Sequence, residues 1–97
     1  MSTTPFAFPI DGEFTIYRAA ELAAAMKAVL AEVPAGGVVE IDLSAVTEMD
    51  SAGAQLLIAA GRSSRESGRA LRIGALSPAA AEVFDTLRIA SHFADAD

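Results

Sequence analysis

The spacing of apolar residues divides the chain into segments with two different periods. An alternating run at residues 38–43 places apolar side chains on one side of a strand and acids on the other. A second alternating run, at residues 71–75, predicts another strand. Phe14 and Ile16 alternate with polar neighbours and predict a strand over residues 13–17. These strands are separated by segments of a longer period.

The intervening segments repeat their apolar residues at helical spacing. Residues 18–33 carry one apolar stripe, which predicts a helix that ends before a Pro-Ala-Gly-Gly loop. A second helix is predicted over residues 51–67, with Gly68 just after its end. Ser77 followed by Pro78 predicts the start of a third helix, with serine as the N-cap and proline at the first helical position.

The N-terminal residues predict a short strand and a turn. Phe6–Phe8 lie between two prolines, which allows an edge strand at most. The Asp-Gly pair at residues 11–12 is typical of the turns that join hairpin strands. We therefore expect the edge strand to turn back into the strand at residues 13–17.

These elements predict an α/β fold of the α+β kind, in the order β-β-α-β-α-β-α. Its 97 residues fit a single domain, 1–97. A strand with acids on one face is fully buried on the other face only, whereas a parallel sheet covered on both sides is apolar throughout. We therefore expect a mixed four-stranded sheet with helices packed mainly on one face.

Composition excludes several classes of function. The net charge of −6 makes nucleic acid a poor partner, because attraction to phosphates dominates that affinity. The acids concentrate in residues 1–50, where they form either ordinary solvated surface or a side that faces a partner. The absence of cysteine excludes disulfides and thiolate chemistry and suits a reducing compartment. No signal peptide or membrane-spanning run is recognisable, so we expect a cytoplasmic protein.

The residues give little support to catalysis. His92 is the only histidine, and no second imidazole or thiol is present to complete a nucleophile–base pair. Asp42, Glu48 and Asp50 could gather around a divalent cation, but no calcium-binding type of loop contains them. No glycine-rich phosphate loop precedes a helix. We expect neither an enzyme nor a bound cofactor or metal.

The junction between the strand at 38–43 and the second helix carries the most distinctive chemistry. Residues 48–53 read Glu-Met-Asp-Ser-Ala-Gly, with one hydroxyl, that of Ser51, where the helix begins. A helix start offers unpaired N–H groups and partial positive charge. Ala52 and Gly53 add little bulk, so a large partner can approach the hydroxyl closely. Asp50 beside it is expected to cap the helix rather than to act as a base.

The same residues resemble the signature of STAS domains, which sulfate transporters and bacterial anti-sigma factor antagonists share. The resemblance rests on residues 39–43, residues 46–53 and the leucine pair at 56–57. Residues 12–16, residues 20–22 and the segment from Val83 to Phe93 are similar to other parts of the family, so nearly the whole chain is covered.

The resemblance implies a regulatory function. In the antagonist type, the serine that matches Ser51 is phosphorylated by a serine kinase that is also the anti-sigma factor, and a phosphatase reverses the modification. The phosphate would lie close in sequence to Glu48 and Asp50, which would repel it. The resemblance places the partner surface at Thr47, Glu48, Met49, Asp50, Ser51, Ala52, Gly53 and Gln55.

Departures from the family pattern leave alternatives open. Thr15 stands where many phosphorylated relatives have aspartate, and Tyr17 and Arg18 replace small hydroxyl residues. Ser51 could instead be an unmodified helix cap. The domain could be a non-phosphorylated subunit of a larger complex, such as a lipid-transport ABC system or a chemosensory pathway, or a nucleotide-binding STAS domain. The oligomeric state is open.

Overall fold

The chain alternates strands and helices regularly. The computed structural model describes residues 5–89 and Phe93. Its elements are β1 (Phe6–Phe14), α1 (Ala19–Glu32), β2 (Val38–Met49), α2 (Ser51–Glu66), β3 (Ala70–Leu76) and α3 (Pro78–Leu87). The strands form one sheet in the order β1-β2-β3, and both neighbouring pairs are parallel. The predicted α/β class is confirmed, in the order β-α-β-α-β-α.

One long strand, β1, replaces the predicted hairpin. β1 passes through Asp11 and Gly12 without turning back. Its pairing with β2 shifts between Pro9 and Asp11 and again between Gly12 and Glu13, and Gly12 has a φ of 67°. The Asp-Gly pair therefore lies at an irregularity of the ladder, where a left-handed residue is tolerated. Pro9 is accepted because β1 is an edge strand. The prediction of four strands is wrong for the described residues, which form three.

Residues 15–18 form a turn rather than the end of a strand. The N–H of Arg18 donates to the carbonyl oxygen of Thr15 at 2.9 Å. The side chain of Ile16 is 65% exposed and that of Tyr17 is 88% exposed. The alternation of apolar and polar residues in this segment therefore does not correspond to alternating burial. Of the apolar residues, only Phe14 lies in the core.

The prediction of a mixed sheet is also wrong for the described strands, although the expected one-sided burial is present. Val39, Ile41 and Leu43 are buried, while Glu40 and Asp42 between them are partly exposed. A parallel sheet needs cover on both faces only when its crossovers run in both directions. Here the strand order follows the chain order, so crossovers of one hand place α1 and α2 on the same face. The two helices contact each other.

The core joins all three helices to the buried face of the sheet. Its largest fully buried side chains include Phe14 from β1, Ile41 from β2 and Leu57 from α2. Ile89 is buried, and the ring of Phe93 lies 6.4 Å from that of Phe84, centroid to centroid. This packing positions the ends of β1 and β2 side by side, with Phe14 opposite Met49.

The helix boundaries follow the sequence signals closely. Gly68 has a φ of 80°, as expected for the residue after the end of α2. The hydroxyl of Ser77 accepts a hydrogen bond from the N–H of Ala80 at 3.0 Å, so the predicted cap of α3 is confirmed.

Candidate functional site at the start of helix α2

Asp50 supplies the cap of α2. β2 ends at Met49, and Asp50 continues in an extended conformation before Ser51 enters the helix. One carboxylate oxygen of Asp50, Oδ1, accepts a hydrogen bond from the N–H of Gly53 at 3.1 Å. This bond satisfies one of the N–H groups that a helix start leaves without an intrahelical partner. The expected capping role of Asp50 is confirmed, and the alternative that Ser51 is the cap is wrong.

The second oxygen of Asp50 binds a distant part of the chain. Oδ2 accepts a hydrogen bond from the N–H of Ile16 at 3.1 Å, across 34 residues of sequence. One side chain therefore fixes the start of α2 to the turn between β1 and α1. Sequence reasoning missed this contact, since local signals do not show which loops meet at the end of a sheet.

The hydroxyl of Ser51 is left unused. Ser51 is the first residue of α2, its side chain is exposed, and the hydroxyl makes no hydrogen bond to another described residue. Partial positive charge at the helix start stabilises negative charge placed nearby, including a phosphate. The hydroxyl is therefore chemically available to a macromolecule that approaches this end of the sheet.

Gly53 lets α2 start directly against β1. A Cβ atom on Gly53 would lie 2.5 Å from the carbonyl oxygen of Phe14 and 3.2 Å from its ring. Any side chain would therefore push the helix start away from the strand. Gly53 is buried, so its contribution to the predicted partner surface is to position Ser51 rather than to contact a partner.

The other predicted contact residues lie at different depths. Thr47, Glu48 and Gln55 are exposed, whereas Met49 and Ala52 are partly buried. The structure brings the exposed ones to the same end of the sheet as Ser51, because β2 continues to Met49 rather than ending at the predicted Leu43.

A shallow cleft, which the sequence did not indicate, lies between Ser51 and α3. It has a volume of about 350 Å³ and joins the start of α2 to the outer side of α3. Its lining residues are Met49, Ser51, Glu82, Val83, Thr86 and Leu87. The side chain of Leu87 is 46% exposed there. The surface around Ser51 therefore combines apolar and acidic side chains from β2, α2 and α3.

The three acids considered as cation ligands do not converge. Within residues 5–89 and Phe93, no group of three or more histidine or acidic side chains is placed to hold a metal ion. Asp42 binds locally instead: Oδ1 accepts a hydrogen bond from the N–H of Ser44 at 2.9 Å. This bond, with a smaller contribution from the Ser44 hydroxyl, lowers the pKa of Asp42 below its usual 3.8. His92 lies outside the described residues.

No helix in the described part of the chain has the length and apolar composition that crossing a bilayer requires.

Comparison with known proteins identifies the family. Residues 7–91 match the family described as "Mlab, STAS domain". The chain belongs to the STAS domain family.

A solved structure has the same fold. The crystal structure of a sulfate transporter family protein from Wolinella succinogenes superposes with a TM-score of 0.73 at 16% sequence identity. The alignment covers 98% of this chain and 77% of that one. At this identity the likeness shows the fold alone. No curated protein sequence matches this chain.

Proposed function

We propose that this STAS domain is a regulatory protein-binding switch, similar to an anti-sigma factor antagonist, controlled by reversible phosphorylation of Ser51. Its partners would be a serine kinase of the anti-sigma factor type and a phosphatase, and it would act in the cytoplasm without catalysing a reaction itself. Nucleic acid is a poor partner for a chain of net charge −6.

One observation supports this proposal most directly: the hydroxyl of Ser51 is exposed and free of any capping role. Because Asp50 accepts the hydrogen bond from Gly53, phosphorylating Ser51 would remove no bond that holds α2 in place. A kinase can therefore reach the hydroxyl of the folded domain.

The expected effect of the phosphate is electrostatic. A phosphoserine carries about −1.5 to −2 charges at neutral pH. The helix dipole favours that charge, whereas the adjacent Asp50 and the nearby Glu48 oppose it. A partner surface matched to a neutral hydroxyl would lose complementarity through charge and bulk, and the fold would stay as it is.

The first experiment is intact-mass and phosphosite analysis of the protein isolated from its own host. We expect a species heavier by one phosphoryl group, with the group mapped to Ser51 and absent from Ser51→Ala. Ser63→Ala is the matched control, because Ser63 is also exposed on α2 but lies three turns further along. The mass shift should persist in that variant.

A binding measurement follows once the kinase is in hand. Ser51→Ala should bind the kinase and stay unphosphorylated, while Ser51→Asp should bind more weakly. Equal affinity of the two variants for the kinase would contradict the switch.

A second candidate is a constitutive, non-phosphorylated STAS subunit of a larger complex, such as a lipid-transport ABC system. The family match fits this class as well as it fits the switch, since both are STAS domains. Unmodified protein under all growth conditions, together with a stable copurifying complex, would favour it over the switch.

A further inference from the structure

The two most exposed large apolar side chains among the described residues are neighbours. Tyr17 is 88% exposed and Ile16 is 65% exposed, while the next, Leu87, is 46% exposed. Exposed apolar residues scattered singly are normal, whereas these two are neighbours on one turn and lie beside the candidate site at Ser51. Neither residue belongs to the core, so the fold does not explain them.

The turn that carries this pair is held firmly by hydrogen bonds. The N–H of Arg18 donates to the carbonyl oxygen of Thr15 at 2.9 Å, and the N–H of Tyr17 donates to the Thr15 hydroxyl at 3.3 Å. The N–H of Ile16 donates to Asp50, and the guanidinium of Arg18 donates to the carbonyl oxygens of Asp11 and Glu13. Tyr17 is therefore presented to solvent by a pre-organised backbone, which reduces the entropy lost on binding.

Asp50 places this turn beside Ser51. The carboxylate that caps α2 also accepts the hydrogen bond from the N–H of Ile16. The turn and the start of α2 are therefore bound to the same side chain, that of Asp50. A partner that covers the Ser51 hydroxyl would meet the turn on the same approach.

Acidic side chains outnumber basic ones around the turn: Arg18, on the turn itself, pairs with Asp11 and Glu21, and two further glutamates lie nearby. Glu13 and Glu48 lie directly opposite each other on β1 and β2. Like charges in that position destabilise a sheet. In the described part of the chain, the ion pairs of Arg18 and Arg72 involve neither glutamate. A cationic partner would relieve this repulsion.

We propose that Ile16 and Tyr17 form an apolar anchor of the surface around Ser51, and that the occupant is a folded protein with an apolar socket rimmed by lysine or arginine. A second copy of this chain fits poorly, because a symmetric contact through this surface would bring two acidic patches together. The same charges disfavour nucleic acid and anionic lipid. The inference rests on the proposed function only in taking this end of the sheet as the partner side.

Photo-crosslinking of the full chain in its host tests the anchor. Tyr17 is replaced by p-benzoylphenylalanine, and Phe6, an exposed aromatic residue at the opposite end of β1, is replaced in the same way as the matched control. We expect a covalent adduct with one protein from position 17 and no adduct with that protein from position 6. Absence of an adduct at position 17, or adducts only with lipid, nucleic acid or a second copy, would overturn the proposal.

Affinity measurements with the purified crosslinked protein complete the test. Tyr17→Ala should weaken binding about tenfold or more, as expected for an aromatic anchor, and Phe6→Ala should leave it within about twofold. Raising the salt from about 50 to about 300 mM should weaken binding of the unmodified chain, and Glu48→Gln should reduce that salt dependence. Binding unchanged by Tyr17→Ala, or insensitive to salt, would refute the assignment.

This test is independent of the phosphorylation experiment. A crosslinked partner that binds through Tyr17 but is not a kinase would leave the anchor in place and refute the switch. A phosphorylated Ser51 without an adduct at position 17 would do the reverse.

Discussion

Helices α2 and α3 begin with the same hydrogen bond but use serine in different ways. At α3, Ser77 is the cap: its hydroxyl accepts from the N–H of Ala80 at 3.0 Å, and its side chain is 5% exposed. At α2, Asp50 is the cap and accepts from Gly53 at 3.1 Å. The serine there comes one residue later and is exposed.

The difference shows how a fold frees a hydroxyl for chemistry. At α3 the capping serine is buried, and its hydroxyl oxygen is occupied by the hydrogen bond that caps the helix. When an aspartate takes that role, the following serine stays at the positive end of the helix without a structural task. Position relative to the cap, rather than residue type, separates the candidate regulatory serine from the structural one.

The residue at the third helical position also differs between α2 and α3. Ala80 is fully buried at this position in α3, whereas α2 has Gly53. The carbonyl oxygen of Phe14 lies only 2.5 Å from where the methyl carbon of an alanine at position 53 would be. At its start, α2 is packed tightly against the backbone of β1.

The largest effect is expected from Gly53→Ala. Although alanine favours helices by about 1 kcal/mol over glycine, its methyl group would collide with the Phe14 carbonyl. We expect a net loss of about 2–3 kcal/mol in the free energy of unfolding, measured in urea. The reverse change at the matched position, Ala80→Gly, adds no atom and should cost about 1–2 kcal/mol through lost burial and helix propensity. A stabilised Gly53→Ala would contradict the tight approach.

Removal of the two caps should have smaller, unequal effects. Asp50→Ala loses two hydrogen bonds and should cost about 2 kcal/mol, while Ser77→Ala loses one and should cost about 1 kcal/mol. Asp50→Ser keeps a cap for Gly53 but has no second oxygen for Ile16, so its unfolding free energy should fall between those of Asp50→Ala and the unmodified protein. If Asp50→Ser matches the unmodified protein, the bond to Ile16 contributes nothing.

A negative charge at position 51 should leave stability almost unchanged. In Ser51→Asp, attraction by the helix start and repulsion by Asp50 offset each other, and no existing bond is lost. We expect a change of less than about 0.5 kcal/mol in unfolding free energy, with an unaltered circular dichroism spectrum. A loss above about 1 kcal/mol would mean that charge acts on the fold rather than on partner binding alone.

The smallest effect concerns Asp42, whose carboxylate also accepts a hydrogen bond from a backbone N–H but lies outside any helix start. Because its bond to Ser44 lowers the folded-state pKa, the charged form stabilises the fold above the unfolded-state value near 3.8. That contribution is lost as the pH falls through the lowered folded-state pKa. The difference in melting temperature between the unmodified protein and Asp42→Asn should therefore shrink in strong acid. A difference that stays constant from neutral pH to strong acid would contradict the assignment.

The helices and their ends could be predicted well from the sequence. The apolar stripe of α1, the Ser-Pro start of α3 and Gly68 after α2 are local signals, and the structure confirms them. Ser51 and its neighbours were also recognisable, since a strand, a short acidic loop and a helix follow one another in sequence.

The strands were harder to predict. An Asp-Gly pair fits a hairpin turn and a ladder irregularity equally well on local grounds. Because β1 pairs in parallel with β2 over its whole length, the Asp-Gly pair forms a ladder irregularity and not a hairpin turn. The alternating pattern that includes Ile16 and Tyr17 was also misleading. Whether a residue is buried depends on which elements cover it, and the sequence pattern does not show that.

The helices, the acidic character and the presence of a serine at a helix start could be predicted from the sequence alone, because each depends on composition or on residues within a few positions of one another. The direction of the strands and the residues that surround Ser51 depend on the tertiary structure. Asp50 meets Ile16 across 34 residues, and Gly53 meets Phe14 across a similar distance in the chain. Such contacts arise only when parallel strands bring their ends together, and no local pattern encodes them.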